Sequence, residues 1–182
     1  MKLSSIRSIF LDRDGVINRR NHTGYVKSWN EFHLFPVVPR ALRHLNDQGC
    51  RVIVITNQRG ISLGLYTEDD LHRIYSRLNE VLAKHDAWID RFYFCPHGTE
   101  CIDCRKPNIG MIHRAMKEFQ DITPQASVMI GDSITDVQAG QNAGMHTIMM
   151  RNNENAHTSD PQPTAFARNL LEAVKLLGTW KV

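Results

Sequence analysis

Two aspartates, Asp12 and Asp14, stand two residues apart where a short apolar run over 6–11 gives way to a glycine turn. Close carboxylates repel each other, so proteins tolerate them mainly where a cation or a proton is shared between them. An apolar run that ends at a glycine predicts a buried strand followed by a loop. We therefore expect both acids at the carboxyl edge of a sheet, where open α/β folds bind ligands. Alone, the pair is equally compatible with a surface turn.

Polar residues follow two further apolar runs in the same way. Thr56 and Asn57 come at the end of one run, and their hydroxyl and amide groups can donate hydrogen bonds to an anionic oxygen. Asp132 follows another run, and Asp136 stands four residues later, on the same face of the helix expected there. Each of these residues also has a simpler interpretation, either as a turn residue or as an acid that caps a helix.

These side chains converge only if their strands are neighbours, and their combined carboxylates then require a cation. Mg²⁺ suits such a site because it takes oxygen ligands and keeps water or phosphate oxygens in its remaining positions. Lys106 adds an ammonium group that could neutralise a transferring phosphoryl group, although most lysines are solvated surface residues. Because aspartate can act as a covalent nucleophile, the set indicates phosphoryl transfer through an aspartyl phosphate.

Three of the four cysteines fall within ten residues of each other, together with one histidine. The candidate metal ligands are Cys95, His97, Cys101 and Cys104. Such a set predicts a tetrahedral Zn²⁺ site, and free thiols beside a surface histidine are the alternative. No ligand position would stay open, so we expect a structural zinc loop over 95–104 that fixes the next two residues, Arg105 and Lys106. Cys50 stands alone and is expected to be a buried apolar residue.

The elements that must position these residues alternate along the chain. Apolar runs predict strands at 6–11, 52–55, 92–94, 127–130 and 147–150. Helical patterns lie at about 37–49, 67–86, 108–120, 134–143 and 164–177. This alternation predicts a doubly wound α/β sheet in a single domain over 1–182. A polar insertion at 18–35 is expected to cover the active site, and 151–163 is expected to be an exposed loop.

Composition narrows the class of protein further. The net charge of +3 is too small to indicate nucleic-acid binding. No apolar stretch approaches the roughly 20 residues of a membrane span, and no signal peptide is apparent. We expect a cytoplasmic monomer that has a small phosphorylated sugar as its partner, with neither nucleic acid nor a membrane.

In four motifs, the chain resembles the haloacid dehalogenase (HAD)-type phosphatases. The motifs are Asp12-x-Asp14-Gly15-Val16, Thr56-Asn57, Lys106 and Gly131-Asp132-x3-Asp136, in that order. The resemblance implies a HAD-like Rossmannoid fold in which Asp12 attacks phosphorus and Asp14 protonates the leaving oxygen and then activates water. Mg²⁺ would be held by the Asp12 carboxylate, the Asp14 backbone carbonyl and Asp132, with Asp136 just outside the ligand set. Thr56 and Lys106 would bind the phosphoryl group.

The segments FLDRDGVIN, VITNQ, CPH, CRKP and GDSITD are similar to the D-glycero-D-manno-heptose 1,7-bisphosphate phosphatase family and its relative, the histidinol-phosphate phosphatase domain. This resemblance implies that there is no large cap domain. It also implies removal of the 7-phosphate from a heptose bisphosphate of lipopolysaccharide-core assembly, with histidinol phosphate as the alternative substrate. The candidate substrate contacts are Arg105, His22, Gly24, Tyr25, Asn57, Gln58, Arg59 and Ser133.

The chain departs from that family at two places. Its last cysteine pair is Cys101-x2-Cys104 instead of C-x-C, and the segment 18–25 is longer and carries Arg19 and Arg20. Extra cations suit a doubly phosphorylated substrate, whereas a cationic substrate would favour acids, and 18–25 contains none.

Two other classes of protein fit less well. A phospho-acceptor signalling domain would lack the second acid, Asp14. A nucleic-acid end-processing phosphatase would need an aromatic and basic groove, which the sequence does not show.

Overall fold

The four central strands of the sheet are short apolar runs that are buried along most of their length, as expected for a sheet covered on both faces. A computed structural model describes residues 6–22, 24–151 and 161–178. Its strands are β1 (Ser8–Leu11), β2 (Arg51–Asn57), β3 (Arg91–Cys95), β4 (Ser127–Gly131), β5 (His146–Met150) and β6 (Ala165–Ala167). The five strands expected from the sequence are all present, with ends that differ by one or two residues.

The strands form one parallel sheet with the order β3-β2-β1-β4-β5-β6. The chain adds strands outward from β1 in one direction through β3, and then in the other direction from β4 to β6. The strand order therefore reverses between β1 and β4, and open α/β sheets bind their ligands at the carboxyl ends beside such a reversal.

The helices are α1 (Val38–Asp47), α2 (Glu68–Ala83), α3 (Gly110–Glu118), α4 (Ile134–Asn142) and α5 (Leu170–Leu177). Apolar side chains of α1, α2 and α5 pack in one core cluster with Ile9 and Leu11, whereas those of α3 and α4 pack in the second cluster with Phe10. Successive residues of β1 thus point to opposite faces. The helices cover both faces of the sheet, which confirms the predicted doubly wound fold.

The insertion at 18–35 folds back over the carboxyl end of β1. The backbone NH of Arg19 donates to the carbonyl of His33 (2.9 Å), and the NH of Phe35 donates to the carbonyl of Ile17 (3.0 Å). Between these two ties lies a short 3₁₀ turn, Trp29–Glu31, followed by the buried Phe32. The insertion is therefore joined to the main core and supplies one wall above the sheet edge.

The prediction of a helix over 164–177 is wrong at its start. Residues Ala165–Ala167 form β6, which pairs with Ile148–Met150, and α5 begins only at Leu170. Alanine favours helix, but backbone pairing with the open edge of β5 outweighs that weak local preference. Asn169 then caps α5, because its side-chain oxygen accepts from the NH of Glu172 (3.0 Å).

The expected loop at 151–163 lies largely outside the described residues; positions 151 and 161–163 belong to no helix or strand. Within the described part of the chain, no helix has both the length and the apolar character needed to cross a bilayer.

Candidate active site

The site begins where β1 and β4 end side by side. Leu11 is in register with Ile130, and the backbone NH of the next residue, Asp12, donates to the Ile130 carbonyl (2.9 Å). Asp132 directly follows the last residue of β4, Gly131, so two acids lie at adjacent strand ends. On the other side of β1, β2 carries the buried Thr56 near its end. The parallel register therefore brings three of the predicted residues to one edge.

Lys106 lies at the centre of these residues, and its side chain is almost completely buried. Its ammonium nitrogen is 2.7 Å from Oδ1 of Asp12, 2.6 Å from Oδ1 of Asp136 and 2.8 Å from the Ile55 carbonyl. Burial opposes the charge on Lys106, but these two carboxylates outweigh it and raise the pKa of the lysine. The ammonium group therefore stays charged and compensates two buried acids.

Both amide atoms of the Asn57 side chain form hydrogen bonds to the backbone of Lys106. Its Nδ2 donates to the Lys106 carbonyl (3.1 Å), and its Oδ1 accepts from the Lys106 NH (3.0 Å). This pair of bonds ties the end of β2 to the loop that carries the lysine. Asn57 was predicted as a phosphate donor; in the structure both of its amide atoms are used to position Lys106.

Asp14 is held by three side-chain donors. Nη2 of Arg13 lies 2.7 and 2.9 Å from its two oxygens, and Nδ2 of Asn18 lies 2.8 Å from Oδ1. Nε2 of Gln58 is farther away, at 3.4 Å, and donates to Oγ1 of Thr56 at 2.9 Å. The carboxyl group thus has a defined orientation, yet its side chain remains about a quarter exposed toward the cavity.

Ser133 and Asp136 together organise the start of α4. Oδ2 of Asp136 accepts from the backbone NH of Ser133 (3.0 Å) and from its hydroxyl (2.6 Å). The other oxygen faces Lys106, so Asp136 has both of the roles that the sequence allowed: it stabilises a helix start, and it belongs to the acidic site.

Arg20 supplies a second cation from the insertion. Its Nη2 lies 2.6 Å from Oδ1 of Asp132, and its side chain is partly exposed. Arg19 next to it is exposed. The sequence indicated extra positive charge in this segment but not which of the two arginines turns toward the acids.

Three carboxylates form a cluster that fits a hard cation. Oxygens of Asp12, Asp132 and Asp136 all lie within 4.8 Å of one another, and all three residues are buried. Gly15 allows Asp132 to approach: its φ is +91°, and a side chain at this position would collide with the Asp132 carboxylate. Oxygen ligands at this density are the type of donor that Mg²⁺ binds.

The same crowding changes the acidity of two of the acids. Burial raises the pKa of Asp12 to about 6, although Lys106 lowers it and Asp136 raises it further. Burial and then repulsion from Asp12 raise the pKa of Asp132 to about 7, against the opposing effect of Arg20. In both residues burial is the largest cause, and repulsion between the carboxylates adds to it.

A cavity of about 610 Å³ opens above the acids. It is lined by predicted site residues, among them Asp12, Asp14, Thr56, Asn57, Gln58, Lys106, Ser133, Asp136, His22, Gly24 and Tyr25. Two predicted substrate contacts, Arg59 and Arg105, do not line it. Arg59 is exposed, and Arg105 donates to the His97 carbonyl (3.4 Å).

The predicted zinc loop brings three of its four candidate ligands together. The sulfur atoms of Cys95, Cys101 and Cys104 lie within 4.8 Å of one another. The Cys101 sulfur is 3.8 Å from that of Cys95 and 3.5 Å from that of Cys104, near the roughly 3.8 Å between thiolates on one tetrahedral zinc. The Cys95 and Cys104 sulfurs are in disulfide contact. His97 is exposed and does not join this cluster.

Comparison with known proteins agrees with this geometry. Residues 103–173 match the HAD-hydrolase-like family model. The D-glycero-D-manno-heptose-1,7-bisphosphate 7-phosphatase of Chlorobaculum tepidum is 35% identical, over 94% of this chain and 94% of its own length. The chain belongs to the heptose-1,7-bisphosphate 7-phosphatase family of HAD-like hydrolases. Membership in this family confirms the fold class expected from the sequence and the prediction of a phosphoric monoester hydrolase.

Other members of the heptose-1,7-bisphosphate 7-phosphatase family are similarly related. The D-glycero-beta-D-manno-heptose-1,7-bisphosphate 7-phosphatase of Haemophilus influenzae is 39% identical, over 74% of this chain and 75% of its own length. The crystal structure of the D,D-heptose 1,7-bisphosphate phosphatase from B. bronchiseptica, complexed with magnesium and phosphate, superposes with a TM-score of 0.87 at 29% identity. It covers 94% of this chain and 98% of the bronchiseptica chain.

The raised pKa values of Asp12 and Asp132 predict a competition between protons and Mg²⁺. Both acids bind protons more tightly in the folded chain than in the unfolded chain, so without a divalent cation the free energy of unfolding should fall as pH rises from about 4 to 7. Mg²⁺ binds the ionised form. We therefore expect its stabilising effect on Tm to be small at pH 5 and large at pH 7.5.

Thermal melts in EDTA and in excess Mg²⁺ across this pH range would measure the effect. Asp132→Asn serves as the control, because it should reduce the Mg²⁺-dependent rise in Tm at every pH. An equal rise at pH 5 and pH 7.5 in the unaltered protein would contradict the assignment of the cation to these acids.

Proposed function

We propose that this chain is a Mg²⁺-dependent phosphatase that removes the 7-phosphate from D-glycero-D-manno-heptose 1,7-bisphosphate. The observation that carries the proposal is the contact of one buried lysine, Lys106, with Asp12 and Asp136 at the floor of an open cavity. The substrate is that for which the relatives from C. tepidum and H. influenzae are named.

In the first half-reaction, a carboxylate oxygen of Asp12 attacks the phosphorus of the 7-phosphate. The bond from phosphorus to the sugar oxygen breaks as the new Asp12–phosphorus bond forms. The Asp14 carboxyl group gives its proton to the departing sugar oxygen, which would otherwise leave as a strongly basic alkoxide. Thr56 and Lys106 lie beside Asp12, where a hydroxyl and an ammonium group can stabilise charge on the phosphoryl oxygens.

In the second half-reaction, Asp14, now a carboxylate, takes a proton from the attacking water. The water oxygen bonds to phosphorus, the Asp12–phosphorus bond breaks, and inorganic phosphate leaves. One acid, Asp14, therefore acts first as proton donor and then as proton acceptor. The hydrogen bond from Asn18 helps to keep the same group in place for both steps.

The residues that would hold Mg²⁺ are Asp12, Asp132 and the backbone carbonyl of Asp14, with Asp136 beside them. When bound, the ion would neutralise part of the charge on the acids and on the phosphoryl oxygens.

Cations near the cavity suit a second phosphate. The guanidinium group of Arg20 lines the cavity on the side of the insertion, together with the side chain of His22 as a further polar group. The acids that line the cavity in the described chain are Asp12, Asp14 and Asp136, and each already has a role in the reaction. No further acid is available there to bind a cationic substrate. This favours the sugar bisphosphate over the second candidate, histidinol phosphate.

We infer that the cysteine cluster binds a structural Zn²⁺ through Cys95, Cys101 and Cys104, with His97 as the predicted fourth ligand. The close approach of three sulfurs directly before Arg105 supports this assignment. Zinc would fix the start of the loop that carries Lys106. Asn57 holds the same loop farther along, through the backbone of Lys106. A thiol-rich site of this kind fits a reducing compartment, which is consistent with a cytoplasmic protein. The single domain and the monomeric state remain predictions.

Replacing the proposed nucleophile should abolish turnover without unfolding the protein. Asp12→Asn should lower kcat by roughly 10⁴- to 10⁶-fold, the range found when a covalent nucleophile is removed. The protein should still fold, because Lys106 keeps its ion pair with Asp136, and burial already opposes the charge of Asp12. Steady-state kinetics with saturating Mg²⁺ and a thermal melt would measure both. Asp69→Asn, at an exposed position, is the matched control.

Zinc and a disulfide make different predictions for the cysteines. Protein purified without added metal or reductant should contain about one zinc per chain, and all four cysteines should react as thiols after denaturation with a chelator. A Cys95–Cys104 disulfide would leave only Cys50 and Cys101 reactive. Cys101→Ser should lose the metal, and His97→Ala would test the fourth ligand. Protein without zinc and with two reactive thiols would refute the zinc site.

The substrate is tested by comparing kcat/KM across a panel of phosphate esters. Both anomers of heptose 1,7-bisphosphate should be turned over at least about 100-fold more efficiently than the corresponding heptose 7-phosphate, because loss of a charge-assisted contact costs about 3 kcal/mol. Histidinol phosphate completes the panel. A higher kcat/KM for histidinol phosphate than for either bisphosphate would overturn the proposed substrate while leaving the phosphatase chemistry intact.

A further inference from the structure

Arg13 is a buried cation with no role in the mechanism above. It stands between Asp12 and Asp14 in sequence, and its side chain is only 1% exposed. Burying a guanidinium group without full compensation is costly. Among the described residues, its Nε and Nη1 have no hydrogen-bond partner. A buried arginine with one satisfied nitrogen is unfavourable for stability alone, so its single strong interaction requires a functional explanation.

That interaction is with Asp14. Nη2 of Arg13 reaches both oxygens of the Asp14 carboxyl group, at 2.7 and 2.9 Å. The backbone of Arg13 is also fixed, because its carbonyl accepts from the NH groups of Val16, Ile17 and Asn18 (3.3, 2.8 and 3.2 Å). The buried guanidinium group therefore fixes the orientation of the partly exposed Asp14 carboxyl group.

The other two donors are less able to fix Asp14. Asn18 contacts only Oδ1 (2.8 Å), and Gln58 lies 3.4 Å from Oδ2. The Gln58 side chain is itself shared, because it also donates to Thr56 and accepts from the Tyr66 hydroxyl. Arg13 is the group among these that contacts both oxygens, and so it controls the rotation of the carboxyl plane.

We propose that Arg13 is a positioning residue that holds the Asp14 carboxyl group in the orientation needed for proton transfer. This inference rests on the proposed function, in which Asp14 gives its proton to the leaving oxygen and later takes one from water. Arg13 does not line the cavity, and it reaches the reaction only through the Asp14 carboxyl group. Its contribution acts through Asp14 alone, and this gives it a chemical signature that a general loss of stability would not produce.

The signature is the dependence on the leaving group. A sugar alkoxide is strongly basic and needs a proton as it leaves, whereas p-nitrophenoxide is weakly basic and leaves without one. A poorly oriented Asp14 should therefore slow phosphoryl transfer from a sugar phosphate much more than from p-nitrophenyl phosphate. A displaced nucleophile or a lost metal ion would slow both substrates to a similar extent, because both require Asp12.

The test compares Arg13→Lys and Arg13→Gln with the unaltered protein and with Arg19→Gln, which changes an exposed arginine of the same segment. Single-turnover rates of phosphoryl transfer to the enzyme are measured with heptose 1,7-bisphosphate and with p-nitrophenyl phosphate, at saturating Mg²⁺. We expect Arg13→Lys to slow transfer from the sugar on the order of 10²-fold, with a loss of only a few-fold on the aryl ester. Arg19→Gln should change neither rate.

A second comparison keeps the test decisive if Arg13→Gln does not fold. In an Asp14→Asn background, adding Arg13→Lys should cause no further loss on the sugar substrate, because two residues that act through one group are not additive. Equal slowing of both substrates, or a full additional loss in the Asp14→Asn background, would overturn the proposal.

Failure of the proposed substrate would be recognised separately. In that case the unaltered protein itself would not turn over heptose bisphosphate. The same variants would then be compared on another alkyl phosphate, such as glycerol phosphate, against the aryl ester.

Discussion

The buried contact between the Lys106 ammonium group and two carboxylates is the interaction on which the site depends. Asp12 and Asp136 belong to segments that follow different strands, and neither could be buried as an anion without a compensating charge. Removing one partner of a buried ion pair generally costs about 3–5 kcal/mol, because the other charge is left uncompensated. Several neighbouring groups hold this lysine in position. Asn57 holds its backbone, the cysteine cluster precedes it, and the Ile55 carbonyl completes its surroundings.

Much of this arrangement could be predicted from the sequence because it follows from strand topology. Asp12, Thr56 and Asp132 each come directly after or near the end of an apolar run, and parallel strands bring their carboxyl ends to one edge. The order of the strands then decides which ends are neighbours. That order was not derivable from the apolar runs alone, but it is the usual result of alternating strands and helices.

The features that could not be predicted depend on the direction of individual side chains and on the pairing of strands that are distant in sequence. Nothing in the segment 18–25 distinguishes Arg20, which contacts Asp132, from Arg19, which is exposed. Arg13 is a charged residue in a motif, and only the fold shows that it is buried. Two of the three residues of β6 are alanines, which have little strand preference, and the strand exists because β5 offers an open edge. His97 satisfied a spacing pattern, yet spacing does not determine which way a side chain points.

The surroundings of Lys106 have a consequence for how the enzyme recognises phosphate. A lysine ammonium group has three protons, and three protein oxygens already lie within 2.8 Å of it. Two of these oxygens accept hydrogen bonds and the third, on Asp136, forms an ion pair, so a phosphoryl oxygen that bonds to Lys106 competes with them for its protons. Substrate binding at this point is an exchange of acceptors, and the most exchangeable are the carboxylates, because a metal ion can compensate the one that is released. The site with and without bound phosphate would then differ in which oxygens accept the three ammonium protons of Lys106, with little movement of the backbone.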